Sequence, residues 1–268
     1  MSTLSIVAAF MRRDFRINIS YRASFALQSV AIVFQLALFF YLSRVVDEAV
    51  IARQGLSGGY FGYAALGLAL LTILQASLGS FSFKLREEQT TGTFEALMTT
   101  PTSPLLIVLC SAVYELIRAT VAGLILIGAA VALFGLRLVL DPGSIATAVV
   151  ALVGCLGLFA SLGVAVAAFT VVIKRAAALL ALVITGLALL GGVYFPIEVL
   201  PDPIEQVASA LPFTWGVDVF RASLLGGDID AAQLAGLFAS AMLLLPLALV
   251  GFAAAVRRVR RTGTLAQY

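Results

Sequence analysis

The chain has no histidine, only two cysteines, and charged side chains at just 12% of its 268 positions. Without histidine it lacks the commonest metal ligand and the commonest general base. Cys110 and Cys155 both sit inside apolar runs. They read as small packing residues, so neither a zinc cluster nor a redox compartment follows from them. No G-x-x-x-x-G-K-[ST] stretch is present to cradle nucleotide phosphates, and no H-E-x-x-H occurs. A pore would need a charged ring or a carbonyl-filter sequence, and neither is evident. The charge content is about half the roughly 25% of a soluble domain, while 62% of the residues are hydrophobic. Alternating ten-residue strands are missing, which excludes an outer-membrane barrel. What is left is an all-α polytopic membrane protein. The net charge of +3 has a topological explanation, so no nucleic-acid partner is expected.

Six spans are the most economical reading, at about Phe25–Ser43, Tyr60–Phe83, Leu105–Gly135, Ile145–Ile173, Ala176–Phe195 and Ala232–Val256. Each approaches or exceeds the roughly 20 residues that cross a hydrocarbon core. Residues 1–24 then form an N-terminal segment, 25–256 the transmembrane domain, and 257–268 a basic tail. The first apolar patch, Leu4–Met11, is short and its arginines follow it, so no cleavable leader is expected. With the N-terminus inside, Arg12, Arg13, Arg16, Arg22, Lys84, Arg86, Lys174, Arg175, Arg257, Arg258, Arg260 and Arg261 are cytoplasmic. Only Arg44, Arg53, Arg137 and Arg221 face outward, and Arg118 lies inside a span. That bias puts both termini in the cytoplasm, as in an inner-membrane protein. No internal repeat is visible, which argues against an inverted-repeat secondary transporter.

Four segments stand out. Leu4, Val7, Met11, Phe15 and Ile19 recur at helical spacing opposite Arg12, Arg13 and Arg16, which predicts an amphipathic helix in the lipid headgroup region; a plain positive flank is the alternative. Lys84–Pro104 is a charged interruption on the cytoplasmic side. There Thr90 and Thr91 can cap a short helix with Phe94, Leu97 and Met98 on its apolar edge and Glu95 on its polar side, and Pro101 and Pro104 stop it. Such a helix can pass a push from a soluble partner; a solvated loop is the alternative. Glu115 and Arg118 share a face of the third span. With Gln28, Gln35 and Gln75 they either line a polar route or lock helices together by ion pairing and hydrogen bonding. Finally, Tyr194–Asp230 is broken by Pro196, Pro201 and Pro203. A short helix Ile204–Leu211 is expected, ended by Pro212, then a second capped by Thr214 and running to Leu225, with Gly226 and Gly227 as its stop. Phe213 and Trp215 suit the membrane interface. The pair of helices would return toward the outer leaflet as an external gate.

Taken together the segments resemble the permease subunit of type-2, exporter-type ABC transporters. The resemblance rests on Glu87-Glu88 with Gly92-Thr93-Phe94-Glu95-Ala96-Leu97 and Pro101, although Gln89, Thr90 and Thr91 separate the acids from the glycine. It rests equally on Tyr194-Phe195-Pro196, Leu200-Pro201, Leu211-Pro212-Phe213-Thr214 and Arg221. It implies a non-catalytic chain that binds no cofactor itself, with ATP and Mg on a separate cassette ATPase. Two cassettes would serve two permeases, expected here as a homodimer in membrane lipid. Glu87, Glu88, Gly92, Phe94, Glu95 and Leu97 would then couple to the ATPase. Few polar liners are evident, which favours export of a hydrophobic or amphipathic molecule such as a drug or lipid. A polysaccharide or lipid-linked glycan is the alternative cargo within the family. A proton-coupled secondary transporter or a membrane enzyme acting through Glu115 lies outside it.

Overall fold

The computed structural model describes residues 12, 22–46, 58–90, 104–172 and 176–262. Among them there are eight α-helices and no strand. In chain order these are α1 (Arg22–Leu42), α2 (Gly59–Thr90), α3 (Pro104–Phe134), α4 (Pro142–Val172), α5 (Ala176–Leu190), α6 (Asp202–Ser209), α7 (Pro212–Leu225) and α8 (Ala231–Thr262), with a single 3-10 turn at Ile197–Val199 before α6. Proline opens α3, α4 and α7, where its missing N–H costs no helical hydrogen bond.

The helix α2 is the axis of the bundle. From Tyr60 to Leu78 nearly every side chain is buried, and α1, α3, α4, α5 and α7 all pack against it. On the far side of α4 lies α8, whose Met242, Leu243, Leu247 and Val250 point outward. An aqueous protein would not leave such a stripe bare; a membrane protein turns it to lipid. Several hydroxyls within the helices are satisfied locally. Thr72, Thr120, Ser161, Thr170 and Ser240 each donate to the carbonyl four residues earlier, which removes the cost of an unpaired hydroxyl in a hydrocarbon setting.

Among the described residues, four helices are long and apolar enough to cross a membrane: Gly59–Gly79, Leu116–Phe134, Pro142–Thr170 and Ala231–Arg258 within α2, α3, α4 and α8. These match four of the six expected spans. At the other two places stand shorter apolar stretches, Val30–Leu42 in α1 and Leu180–Leu190 in α5. The helix α5 stops at Leu190, short of the expected Phe195. Gly192 takes a left-handed φ of 63° there. That lets Val193 N–H reach back to Ala188 O at 3.3 Å and Gly191 N–H to Leu187 O at 2.8 Å, a closure that few residues other than glycine adopt.

The charged segment begins differently from its sequence reading. Lys84–Thr90 is not the start of a loop but the last two turns of α2, which runs 32 residues without a break. Thr90 therefore ends a helix and does not cap the start of one. Pro104 opens α3. The expected short helix beyond Thr91, and the amphipathic segment before Arg22 apart from Arg12, lie outside the described residues. At the C-terminal side the basic stretch continues α8 as helix through Thr262.

Candidate functional site

One end of the bundle gathers the start of α2, the α3–α4 connection and the whole segment from Gly191 to Asp230. Val139 N–H bonds to Leu224 O at 2.8 Å, and Leu136 and Leu225 flank Gly62 of α2. At the base of this assembly lies Arg221, only 1% exposed and the largest fully buried side chain among the described residues. Its Nε donates to Tyr63 O of α2 at 2.9 Å, and its Nη2 donates to Val193 O beyond α5 at 2.9 Å. The guanidinium carbon stands 3.5 Å from the centroid of the Tyr63 ring. Tyr63 in turn donates its hydroxyl to Gly192 O at 2.8 Å. Three elements are thus tied at one point by charge-assisted hydrogen bonds and a cation over an aromatic face.

The backbone leaves room for this only because residue 67 has no side chain. A Cβ on Gly67 would collide with Arg221 Nη2 and come within 2.7 Å of Val193 O. Arg221 Nη1 has no hydrogen-bond partner and stands 4.0 Å from Asp218 Oδ1. Both residues line a crevice of about 190 Å³ with Asp228, Asp230 and Gln233. Loss of hydration there raises the Asp218 carboxyl to about 6; Arg221 opposes the shift and Glu198 adds to it. Among the described residues no cluster of three or more His, Cys, Asp or Glu is placed to hold a metal.

The expected gate residues meet here, with three corrections. Pro196 and Pro201 are the residues before the 3-10 turn and before α6. Pro212 is the first residue of α7 and does not end the preceding helix, which stops at Ser209. Phe213 turns its ring to the protein interior and not outward. It is 1% exposed, its ring lies 5.9 Å from that of Phe159, and it fills the space that a side chain at Gly191 would need. Trp215 is half-buried over Gly236 and donates Nε1–H to Ser209 O at 2.6 Å. Nor is Thr214 a cap. The residue before α7 is Leu211, and the Thr214 hydroxyl donates to Ala208 O at 2.7 Å. Gly226 closes α7 as expected, with φ 75°.

The other predicted sets are not brought to this place. Gln35 on α1 and Arg118 on α3 are half-buried, and Gln75 on α2 is exposed. Gln28 and Glu115 lie on α1 and α3, but their side chains are outside the described set. Glu87 and Glu88 are on the last turn of α2, while Gly92, Phe94, Glu95 and Leu97 fall outside the described residues. Sequence reasoning missed Arg221 as a buried anchor and placed it with the outward-facing charges. The available signal was its neighbourhood, FTWGVDVFRASLL, where a lone cation has apolar residues on every helical face.

A family model described as ABC-2 type transporter matches residues 2–225, most of the chain. A search among curated proteins found no match.

Proposed function

The chain belongs to the ABC-2 type transporter family, and from that premise we propose that it is the permease of an ATP-driven exporter energised through the cytoplasmic end of α2. Members of the family are membrane subunits of transporters, generally non-catalytic, and normally pair with an ATP-binding cassette subunit. The observation that carries the proposal is the continuity of α2. One helix without proline runs from Glu87 and Glu88 at its charged end to the Arg221 site at the other. At 1.5 Å per residue, Glu88 and Tyr63 are about 38 Å apart along the axis, so a displacement at one end is delivered across the membrane.

In this reading two cassettes carry ATP and Mg and dock on Glu87, Glu88, Gly92, Phe94, Glu95 and Leu97. Both termini and this docking region are cytoplasmic in the inner membrane, and α1 and α5 complete six spans. Two copies of the chain enclose the route, to which Gln28, Gln35, Gln75, Glu115 and Arg118 contribute polar groups. The exposed amide of Gln75 on an otherwise buried span supports this, because an amide is costly against lipid and is satisfied by a protein or aqueous neighbour. The sparse polar lining favours a hydrophobic or amphipathic cargo. The test is reconstitution of the full chain with and without its cassette partner. Export should require the cassette and hydrolysable ATP, and export from the chain alone, or driven by a pH gradient, would overturn the reading.

A further inference from the structure

We propose that Arg221 is the positioning residue that makes the outer end of α2 and the segment from Val193 to Leu225 move as one unit. The inference rests on the reading of α2 as the element driven from its cytoplasmic end. The guanidinium hydrogen-bonds both to the α2 backbone and to the chain just beyond α5. Its planar fork holds two acceptors at fixed directions, which a lysine ammonium, a single point charge on a flexible stem, does not reproduce. Both acceptors are main-chain carbonyls, so the link is to the backbone of each element and not to a side chain that could rotate away. The third position of the fork is slack, with Nη1 unbonded and Asp218 at 4.0 Å. The clamp is therefore firm toward α2 and Val193 and loose toward the crevice. A shift of α2 would carry the 3-10 turn, α6 and α7 with it.

The test uses the full chain assembled with its cassette partner in lipid nanodiscs and proteoliposomes. Spin labels at Val207 on α6 and Met242 on α8, both exposed, report movement of the external segment on nucleotide trapping. In the unmodified clamp the label distance should change with trapped nucleotide. R221K should abolish that change and lower transport per ATP hydrolysed at least about fivefold, the lower range of usual coupling strengths, with ATP hydrolysis itself retained. G67A should do the same while leaving every charge in place, because a Cβ there displaces the guanidinium. It decides the matter if R221K fails to assemble. G236A, which presses on Trp215 away from the clamp, should keep the distance change. A full distance change in R221K or G67A overturns the inference, as does an equal loss in G236A, which would mark the site as packing alone. If the unmodified complex shows no nucleotide-driven change and no cassette binding, the proposed function falls instead.

Discussion

Replacing Tyr63 separates the two jobs of one side chain. Tyr63 is 2% exposed, donates its hydroxyl to Gly192 O at 2.8 Å and places its ring 3.5 Å below the Arg221 guanidinium. Tyr63→Phe keeps the ring and the volume and removes one oxygen. The cost is that of leaving Gly192 O without this donor, about 1–2 kcal/mol. Tyr63→Leu also removes the aromatic face, worth about 2 kcal/mol when the cation is desolvated, and leaves a void. Its total is about 3–5 kcal/mol. By the scaling of soluble domains of similar size, each kcal/mol moves the midpoint by about 2–4 °C. Thermal unfolding of the full chain in nanodiscs should therefore rank wild type, then Phe, then Leu, with the larger step between Phe and Leu. Equal losses for the two would refute the role given to the ring. A change below about 1 °C for both would mean that Tyr63 is not part of the folded anchor.

Other consequences are open to simpler assays. Thr214→Val keeps the shape but loses the donor to Ala208 O, and should cost about 1 kcal/mol in the same melt. Gly216→Ala brings a methyl within 2.5 Å of Cys155 Sγ between α4 and α7, so it should destabilise by about 1–3 kcal/mol through overpacking. Two carboxylates at this end should respond to pH in opposite senses. Asp218 is raised in the folded chain to about 6, so its contribution is fully present below its unfolded pKa and is lost as pH rises through about 6; Asp218→Asn should remove that pH dependence from the midpoint. Asp141 accepts from Ser144 N–H and Oγ–H at the start of α4 and is lowered, so its contribution is lost as pH falls through its folded value. Asp141→Ser should flatten the acid limb instead. In the proposed coupling segment, Glu88→Ala or Leu97→Ala should cut transport about tenfold, within the usual range of coupling free energies, without changing ATP hydrolysis by the isolated cassette.

The spans of α2, α3, α4 and α8 were legible because a 30 Å hydrocarbon layer leaves a long composition signal. Helix ends were legible where a glycine was needed for a left-handed closure, as at Gly226, but Gly192 was overlooked because apolar residues continue past it to Phe195. Composition also could not tell that Lys84–Thr90 stays helical, since charge marks exit from lipid and not the end of a helix. Proline was read as a stop at Pro212, where it opens α7, because both roles place it next to a helix boundary. The hardest residue was Arg221. Charge counting treats every loop cation as solvated, and only the fold brings Tyr63 O and Val193 O to the two N–H groups that make its burial affordable. The burial of Phe213 was hidden for the same reason: composition does not show that the missing side chain at Gly191 opens a slot for its ring.

In the proposed function, energy reaches this chain from an ATPase docked just beyond the charged end of α2. A photo-crosslinking residue placed at Phe94, and another at Leu140 at the opposite end, test it most directly in native membranes. Phe94 should crosslink to a subunit carrying a phosphate-loop ATPase, and Leu140 should not. Crosslinking of that subunit at Leu140, or none at Phe94 in membranes where the transporter is active, would contradict it.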